Sequence, residues 1–339
     1  MIRAKVVSFT GLGAQTGARI AALLSDCLTE RYARGQDPSL RATELTRFAQ
    51  QAMVDCDLIV FVGATGIAVR AVAPYLQGKA FDPAVVAVDE QGRFVIPLLS
   101  GHLGGANELA LRIAAGLGAQ PVVTTATDGR GVFAVDTWAK HHRCAVAEVD
   151  HIRYVSSALL RNETVGLRSA FPVVGNLPPR ISLTGGGDAG FVIGFDLADK
   201  PFAHTLHLIP RVLHLGLGCR KGIAAQKVEE AVAEALEEWN IPDAALASCA
   251  SIDIKKDEGA LLAFAAQHAL PFTTFSAEQL AAAPGAFTPS AFVQSTVGVD
   301  NVCERAAVCA AGGGKLLRAK RARDGVTVAL AAEDWRVEF

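Results

Sequence analysis

The sequence predicts an α/β protein, with two α/β domains of mainly parallel sheets joined by a small middle domain. Three observations predict this class. Apolar strand-like runs alternate with segments of helical periodicity, and glycine-rich turns follow several of the runs. A length of 339 residues also exceeds one ordinary core. We expect an N-terminal α/β domain over 1–134, a middle domain over 135–208 and a C-terminal α/β domain over 209–339.

In the N-terminal domain, apolar periodicity predicts seven elements. They are a strand over 5–9, a helix over 15–31, a strand over 57–62, a helix after the turn 63–66, a hairpin of 85–88 with 94–98, a helix over 104–116 and a strand over 120–125.

Beyond residue 134 the pattern is less regular at first and then becomes α/β again. The predicted elements are a helix over 151–160, a strand over 211–217, a helix over 222–239, strands over 246–251 and 272–275, a helix over 299–310 and a final hairpin of 315–320 with 326–331. The uncharged stretch 279–299 contains Pro284 and Pro289, so a loop is expected there, not a membrane helix.

Composition restricts the class of function. The chain is 51% hydrophobic and 19% charged with a formal net charge of −2, which argues against general disorder, a nucleic-acid surface or a polybasic membrane patch. The seven cysteines form no C-x-x-C pair and no signal peptide precedes the first strand, as is typical of reduced thiols in the cytoplasm. Because metal-ligand spacing is absent, we expect no protein-bound metal. Homodimer formation is left open.

Two glycine-rich segments, 11–17 and 216–222, each follow an apolar strand and are predicted to open a helix. Each would aim free backbone N–H groups at an anion, but a tight turn alone would also require glycine. Both read G-x-G-x-x-x-G, which is one residue longer than the dinucleotide fingerprint. The signal for the alternative function, a nicotinamide-dependent oxidoreductase, is therefore weak.

The richest candidate site is the segment 97–108, in which a strand runs through a polar, glycine-rich turn into a helix. His102 lies at the apex of the turn, where an imidazole could exchange protons near neutral pH or could be structural. Asn107 and Glu108 fall in the first helical turn, where exposed N–H groups need acceptors.

Two further turns of this domain follow predicted strands. Gly63-Ala64-Thr65-Gly66 leads into a helix with Arg70 one turn later, placed either to bind a carboxylate or to lie in solvent. Thr125-Ala126-Thr127-Asp128 follows the last strand. Open α/β sheets bind ligands at the carboxyl ends of strands, so we expect these turns and that of His102 to converge.

In the C-terminal domain, Cys219-Arg220-Lys221 places two cations on a glycine turn, and Asp253 and Lys255 follow another strand. Such a cationic edge suits a polycarboxylate, although charged runs are usually solvated faces. Cys219 would be a nucleophile only with a base beside it, which the sequence does not place.

These residues carry a resemblance to a known family. The runs FVGATGIAVRAVAPYL and DPAVVAVDEQGRFVIPLLSGHLGGANELALRIA resemble the N-terminal domain of the cobalt-precorrin-5A hydrolase (CbiG) family. Three later runs resemble the C-terminal domain of the same family: LGLGCRKGIAAQKVEEAV, SIDIKKDEGALLAFA and STVGVDNVCERAAV. Together the runs cover most of the chain in the expected order.

The resemblance implies a reaction of anaerobic cobalamin biosynthesis. Family members open the δ-lactone of cobalt-precorrin-5A, a cobalt-containing tetrapyrrole, and release acetaldehyde to give cobalt-precorrin-5B. Cobalt arrives inside the substrate, so no cofactor is expected. The alternative is a protein that binds a corrinoid intermediate without catalysis.

Within that reaction, we expect His102 to be the base, with Glu108 and Asp128 as its substitutes. Lys255, or N–H groups at Gly104 and Gly105, would stabilise the oxyanion. The residues expected to bind the substrate are Gly63, Thr65, Gly66, Arg70, Ser100, Gly101, Gly104, Gly105, Asn107, Thr127, Gly216, Gly218, Cys219, Arg220 and Asp253.

Overall fold

The computed structural model describes residues 2–33, 44–78, 81–102, 104–124 and 131–339. Contacts divide the chain into two compact units, the first formed by 1–140 with 156–163 and the second by 141–155 with 164–339. Among the described residues, the first unit holds one six-stranded sheet, and the second holds two five-stranded sheets and a two-stranded pair of 173–174 with 337–338. The mixed α/β class with mostly parallel sheets is therefore confirmed, whereas the three-domain division stays a prediction.

The first unit alternates strands with helices. Its described elements are β1 (Arg3–Ser8), α1 (Gly11–Leu23), β2 (Leu28–Ala33), α2 (Leu45–Asp55), β3 (Leu58–Val62), α3 (Thr65–Val72), β4 (Ala84–Val88), β5 (Phe94–Leu99), α4 (Ala106–Leu117), β6 (Gln120–Pro121) and α5 (Val135–His141).

Helices cover both faces of the first sheet, because its central strands are apolar on both sides. All five residues of β3 and of β4 are buried. Val6 of β1 packs with α1 and α4 on one face, and its neighbour Val7 packs with α2 and α3 on the other. This is the pattern of a doubly wound sheet, in which alternate side chains enter opposite cores.

Strand direction decides which loops of this sheet can meet. The order is β2-β1-β3-β4-β5-β6, in which β1 to β4 are parallel and β5 is antiparallel to β4. The loop after β5 therefore lies at the edge where β3 and β4 begin, and the loops after β1 and β3 lie at the opposite edge. The predicted convergence of the three turns is thus wrong: the turn 63–66 and the His102 loop are at opposite edges of the sheet.

One predicted element of this unit needs correction, and one helix was missed. The helix expected over 15–31 ends at Leu23, where the Leu24 N–H closes the last turn onto the Ile20 carbonyl. The following residues form β2, because Thr29 and Tyr32 favour a strand and the backbone pairs in parallel with β1. The amphipathic helix α2 was not predicted.

The second unit contains two five-stranded sheets. Its elements are β7 (Cys144–Val146), α6 (Ile152–Leu160, shared with the first unit), β8 (Val165–Ser169), β9 (Val173–Val174), β10 (Ile181–Leu183), β11 (Gly187–Ile193), β12 (Phe202–Pro210), β13 (Leu213–Cys219), α7 (Ala225–Trp239), β14 (Leu246–Ile252), α8 (Gly259–Gln267), β15 (Phe272–Phe275), α9 (Ala277–Ala281), α10 (Ala291–Val297), α11 (Cys303–Ala310), β16 (Lys315–Arg323), β17 (Val326–Ala332) and β18 (Val337–Glu338).

The two sheets of this unit have the orders β10-β8-β11-β12-β7 and β15-β14-β13-β17-β16. The predicted apolar face of α7 is buried as expected against the second of these sheets, together with α8. Helix α11 covers the other face of that sheet. The final hairpin is also confirmed, since β16 and β17 pair antiparallel around Asp324-Gly325.

Gly216 and Gly218 lie inside β13, so the prediction that they line a turn opening a helix is wrong. The helix begins only at Ala225. A Cβ at Gly216 would overlap the Cys303 carbonyl oxygen of α11, and a Cβ at Gly218 would lie 2.5 Å from Thr327 Oγ1 of β17. Glycine is required here because neighbouring elements approach the strand closely.

The stretch 279–299 is not wholly a loop, since it includes the end of α9 and all of α10. It is anchored by the buried carboxylate of Glu304, which accepts hydrogen bonds of 2.7 Å from the backbone N–H groups of Thr288 and Lys320. Among the described residues, no helix is long and apolar enough to cross a membrane.

A chain of polar side chains centred on buried His214 of β13 joins Ser248 of β14 to Glu333, the residue after β17. His214 Nδ1 lies 2.7 Å from Ser248 Oγ, and His214 Nε2 lies 3.0 Å from a Glu333 carboxylate oxygen. Arg143 donates to the other oxygen of Glu333 at 2.7 Å. Burial lowers the pKa of His214, although the Glu333 carboxylate opposes that effect. Burial therefore favours the neutral imidazole.

The close packing at Gly216 predicts a large effect of one methyl group. We expect Gly216→Ala to lower the free energy of unfolding by about 1–3 kcal/mol, because the new Cβ meets the α11 backbone, which cannot move aside cheaply. Urea unfolding followed by circular dichroism measures this. Gly259→Ala is the control, since nothing lies within 4 Å of a Cβ there. Equal midpoints for the two variants would contradict the packing assignment.

The lowered pKa of His214 predicts a loss of stability in mild acid. As pH falls through about 6.5 the unfolded chain binds the proton first, so stability is complete above that pH and declines below it. This group contributes at most about 1.4 kcal/mol per pH unit. Urea midpoints at pH 7.5 and 5.5 should therefore differ more for the wild type than for His214→Gln. The prediction fails if the two proteins show the same difference.

Candidate active site

The loop after β5 is fixed by an unusual backbone conformation. Ser100 has φ 55°, in the left-handed region that non-glycine residues seldom occupy. Its hydroxyl donates to the Asp82 carbonyl at 2.8 Å, and its own carbonyl accepts from the Ala106 N–H at 3.1 Å. These bonds hold the chain in a tight turn between β5 and α4. Strain of this kind persists only where surrounding contacts enforce it, and it is common at functional sites.

This turn brings His102 against an acidic side chain from another part of the chain. His102 Nδ1 lies 3.2 Å from the carboxylate oxygen Oδ2 of Asp136, which is in the first turn of α5. Both side chains are largely buried, with 15% and 10% of their surface exposed. A carboxylate in this position orients an imidazole and stabilises its protonated form. The pair is therefore suited to general acid–base chemistry.

Three backbone N–H groups at the start of α4, those of Gly105, Ala106 and Asn107, are already engaged. The Gly105 N–H donates to the His102 carbonyl at 2.9 Å, and the Asn107 N–H donates to the Gly101 carbonyl at 3.0 Å. The expectation that Gly105 supplies an oxyanion donor is thus contradicted in this arrangement. Gly104 is needed for space, because a Cβ there would lie 2.8 Å from the Ser100 carbonyl oxygen.

Two charged side chains lie beside the same turn. Glu108 is exposed in the first turn of α4. Lys140, in the last turn of α5, places its ammonium beside Gly105. The two are so close that a Cβ added at Gly105 would overlap Lys140 Nζ. Burial lowers the pKa of Lys140, and the charge of Glu108 opposes this shift.

Sequence reasoning missed both Asp136 and Lys140. They lie four residues apart on a short helix, and no motif connects that helix with the His102 turn. Only the fold of the first unit brings them together. Two other predicted site residues, Thr127 and Asp128, lie outside the described residues.

The glycine turn after β3 forms a separate group. Helix α3 begins at Thr65 with no side-chain cap, and a Cβ at Gly66 would lie 3.4 Å from Arg70 Nη1. Among the described residues none forms an ion pair with Arg70, which lines a hollow of about 330 Å³ with Phe9, Leu45 and Ile67. Five strand residues span about 16 Å, so this group at the opposite edge of the sheet cannot act on the same bond as His102.

The start of α1 is less open than the sequence suggests. The Thr10 hydroxyl accepts from the Gly13 N–H at 2.9 Å and donates to the Glu90 carboxylate at 2.8 Å. A carboxylate of the protein therefore already faces this helix start, and the need for a tight turn accounts for the glycines here.

In the second unit, the predicted cationic edge is partly neutralised. Lys255 Nζ donates to Glu258 at 2.8 Å, and the other oxygen of that carboxylate accepts from the Gly222 N–H at 3.0 Å. The hydrogen bond from Lys255 also lowers the pKa of Glu258. Asp253 opens the short 3-10 turn that carries Lys255. No ion pair to Arg220 occurs within the described part of the chain.

Cys219 lies at the same edge but is a poor nucleophile. Burial raises the pKa of its thiol, and the nearby charge of Lys255 compensates only in part. A thiol with a raised pKa is mostly protonated near neutral pH and reacts slowly. All seven cysteines are free thiols, as the sequence predicts. Within the described ranges, no group of three His, Cys, Asp or Glu side chains is placed to hold a metal ion.

Comparison with known proteins adds an independent result. A family model described as Cobalamin synthesis G N-terminal matches residues 47–128, and one described as Cobalamin synthesis G C-terminus matches residues 213–331. A Salmonella typhimurium protein named cobalt-precorrin-5A hydrolase is 34% identical over 339 residues, covering 94% of each chain.

Two further relatives were found. A Priestia megaterium protein of the same name is 30% identical over 291 residues, covering 80% of this chain and 78% of its own. The crystal structure of a cobalamin biosynthesis protein G homologue from Sulfolobus solfataricus is 23% identical, covers 97% of this chain and 96% of its own, and has a TM-score of 0.43.

Proposed function

Since this chain belongs to the cobalt-precorrin-5A hydrolase (CbiG) family, we propose that it opens the δ-lactone of cobalt-precorrin-5A and releases acetaldehyde to give cobalt-precorrin-5B in anaerobic cobalamin biosynthesis. The observation that supports catalysis most directly is the contact of 3.2 Å between His102 and Asp136. The hydrolase is favoured over a carrier because proteins named cobalt-precorrin-5A hydrolase match most of this chain, and the His102–Asp136 contact offers an acid–base pair for that chemistry.

Lactone opening begins at His102. With Nδ1–H donated to Asp136, the imidazole carries its lone pair on Nε2, which takes a proton from the attacking water. The resulting hydroxide adds to the lactone carbonyl, and the tetrahedral intermediate expels the ring oxygen. That oxygen recovers the proton from His102, so the base returns to its starting form. The products of this step are a carboxylic acid, which loses its proton to solvent, and a secondary alcohol.

Carbon–carbon cleavage follows from the alcohol. A base removes the hydroxyl proton, the oxygen forms a carbonyl, and the bond between this carbon and the macrocycle breaks. The conjugated macrocycle accepts the electron pair, and the two-carbon fragment leaves as acetaldehyde. His102 can serve again as the base, with exposed Glu108 as the substitute from the same turn.

The peripheral carboxylates of the substrate need cations. Arg70 forms no ion pair within the described ranges, so its guanidinium can meet a carboxylate through a forked contact. Thr65 and Gly66 add backbone N–H groups at the uncapped start of α3. Lys255 is less suitable, because Glu258 already pairs with it.

The proposal assigns no cofactor, since cobalt enters as part of the substrate. We place the reaction in the cytoplasm, where free thiols such as the seven found here persist. The partner is the tetrapyrrole substrate, without nucleic acid or membrane, and formation of a homodimer remains open to measurement.

The assignment is tested by anaerobic incubation of the full chain with cobalt-precorrin-5A. We expect the pigment spectrum to change in step with release of one acetaldehyde per substrate, trapped as its hydrazone. A spectral change that saturates at one substrate per chain without aldehyde would instead identify a binding protein. An unchanged spectrum together with no aldehyde would overturn both readings.

The roles of His102 and Asp136 predict graded losses of activity. We expect His102→Ala to lower kcat by about 10²–10⁴-fold, the usual contribution of an acid–base group, and Asp136→Asn to lower it by at least about tenfold. His268→Ala is the matched control, because His268 also pairs with a carboxylate, that of Glu229 at 2.9 Å. The assignment is wrong if His102→Ala and His268→Ala release acetaldehyde equally fast.

A further inference from the structure

Attack on the lactone carbonyl places a full negative charge on its oxygen, and three described backbone N–H groups of the His102 turn are engaged elsewhere. The N–H groups of Gly105, Ala106 and Asn107 donate to carbonyls within the turn itself. Oxyanion stabilisation normally needs preorganised donors or a cation at the reacting carbonyl. A cation beside the turn would supply this stabilisation without any of these three N–H groups.

Helix α5 presents a cation to this turn beside its acid. Asp136 and Lys140 are four residues apart and so lie on the same face of the helix. The first side chain contacts His102 Nδ1 at 3.2 Å, and the second places Nζ beside Gly105. One helix face thus supplies the partner of the base and a positive charge next to it.

The charge of Lys140 is not cancelled by a close partner. No carboxylate of a described residue lies within ion-pair distance of Nζ, and Glu108 acts on it only over a longer range. Although Lys140 as a residue is exposed, burial of its ammonium lowers its pKa. A partly desolvated cation interacts more strongly with a developing anion than a fully hydrated one does.

We propose that Lys140 is a catalytic residue whose ammonium stabilises the oxyanion formed on the lactone carbonyl. The inference rests on the proposed hydrolase function and assigns the oxyanion role to Lys140 in place of Gly105 and Lys255. During the step, water loses a proton to His102 Nε2 and a carbon–oxygen bond forms. The carbonyl electron pair moves to oxygen opposite Lys140, and it returns as the ring carbon–oxygen bond breaks. Lys140 keeps its proton throughout.

The role predicts a loss in kcat instead of in substrate binding. We expect Lys140→Met to lower kcat by about 10²–10³-fold, the usual cost of one oxyanion-stabilising group, with KM within about threefold of the wild type. Lys140→Arg keeps the charge and should retain at least about a tenth of the wild-type kcat. Lys315→Met removes an exposed lysine elsewhere and should leave both constants unchanged.

The measurement is anaerobic turnover of cobalt-precorrin-5A with acetaldehyde as the readout, and urea midpoints confirm that each variant is folded. If Lys140→Met keeps the wild-type kcat, raises only KM, or loses no more activity than Lys140→Arg does, the oxyanion role is overturned. If the wild type and Lys315→Met release no acetaldehyde, the hydrolase function itself fails, which separates the two outcomes.

Discussion

The antiparallel pairing of β5 with β4 controls the arrangement of the site. Because β5 runs against its neighbour, the chain leaves the sheet where β4 begins, and the Ser100 hydroxyl binds the Asp82 carbonyl there. The turn that follows places His102 at this edge, where α5 presents Asp136. A parallel β5 would have sent His102 to the edge that carries Arg70. One reversal of direction therefore decides which side chains can cooperate in catalysis.

The antiparallel direction of β5 also places two groups of polar side chains at opposite edges of the first sheet. At one edge, an oriented imidazole and a cation surround a strained turn, as acid–base catalysis on a carbonyl requires. At the other edge, an uncapped helix start and Arg70 offer donors for a carboxylate. The second unit keeps a cation of its own in Arg220, whereas Glu258 neutralises Lys255. The proposed chemistry therefore belongs to the His102 turn, and the other groups are suited to binding.

Much of the fold could be predicted because its signals are local. The buried strands β3 and β4, the hairpin with β5 and the apolar face of α7 all follow from the period of apolar residues. The errors arose where local signals conflict. The predicted helix of 15–31 runs into β2 because leucines at helical spacing continue past Leu23, and strand pairing with β1 overrides them. The glycines of β13 resembled a turn because sequence does not reveal that α11 packs against them.

The sequence by itself determined the α/β class and the family and made His102 a candidate base, since these depend on residue order along short segments. Tertiary structure alone decided what lies around the His102 turn: from a separate helix, Asp136 contacts His102 and Lys140 lies beside Gly105, whose N–H donates within the turn. The physical reason is that two side chains act together only when they lie within a few ångströms of each other in space. Local sequence patterns do not reveal such distances between residues that are far apart along the chain. Strand direction and helix packing decide which of these distant residues come close together.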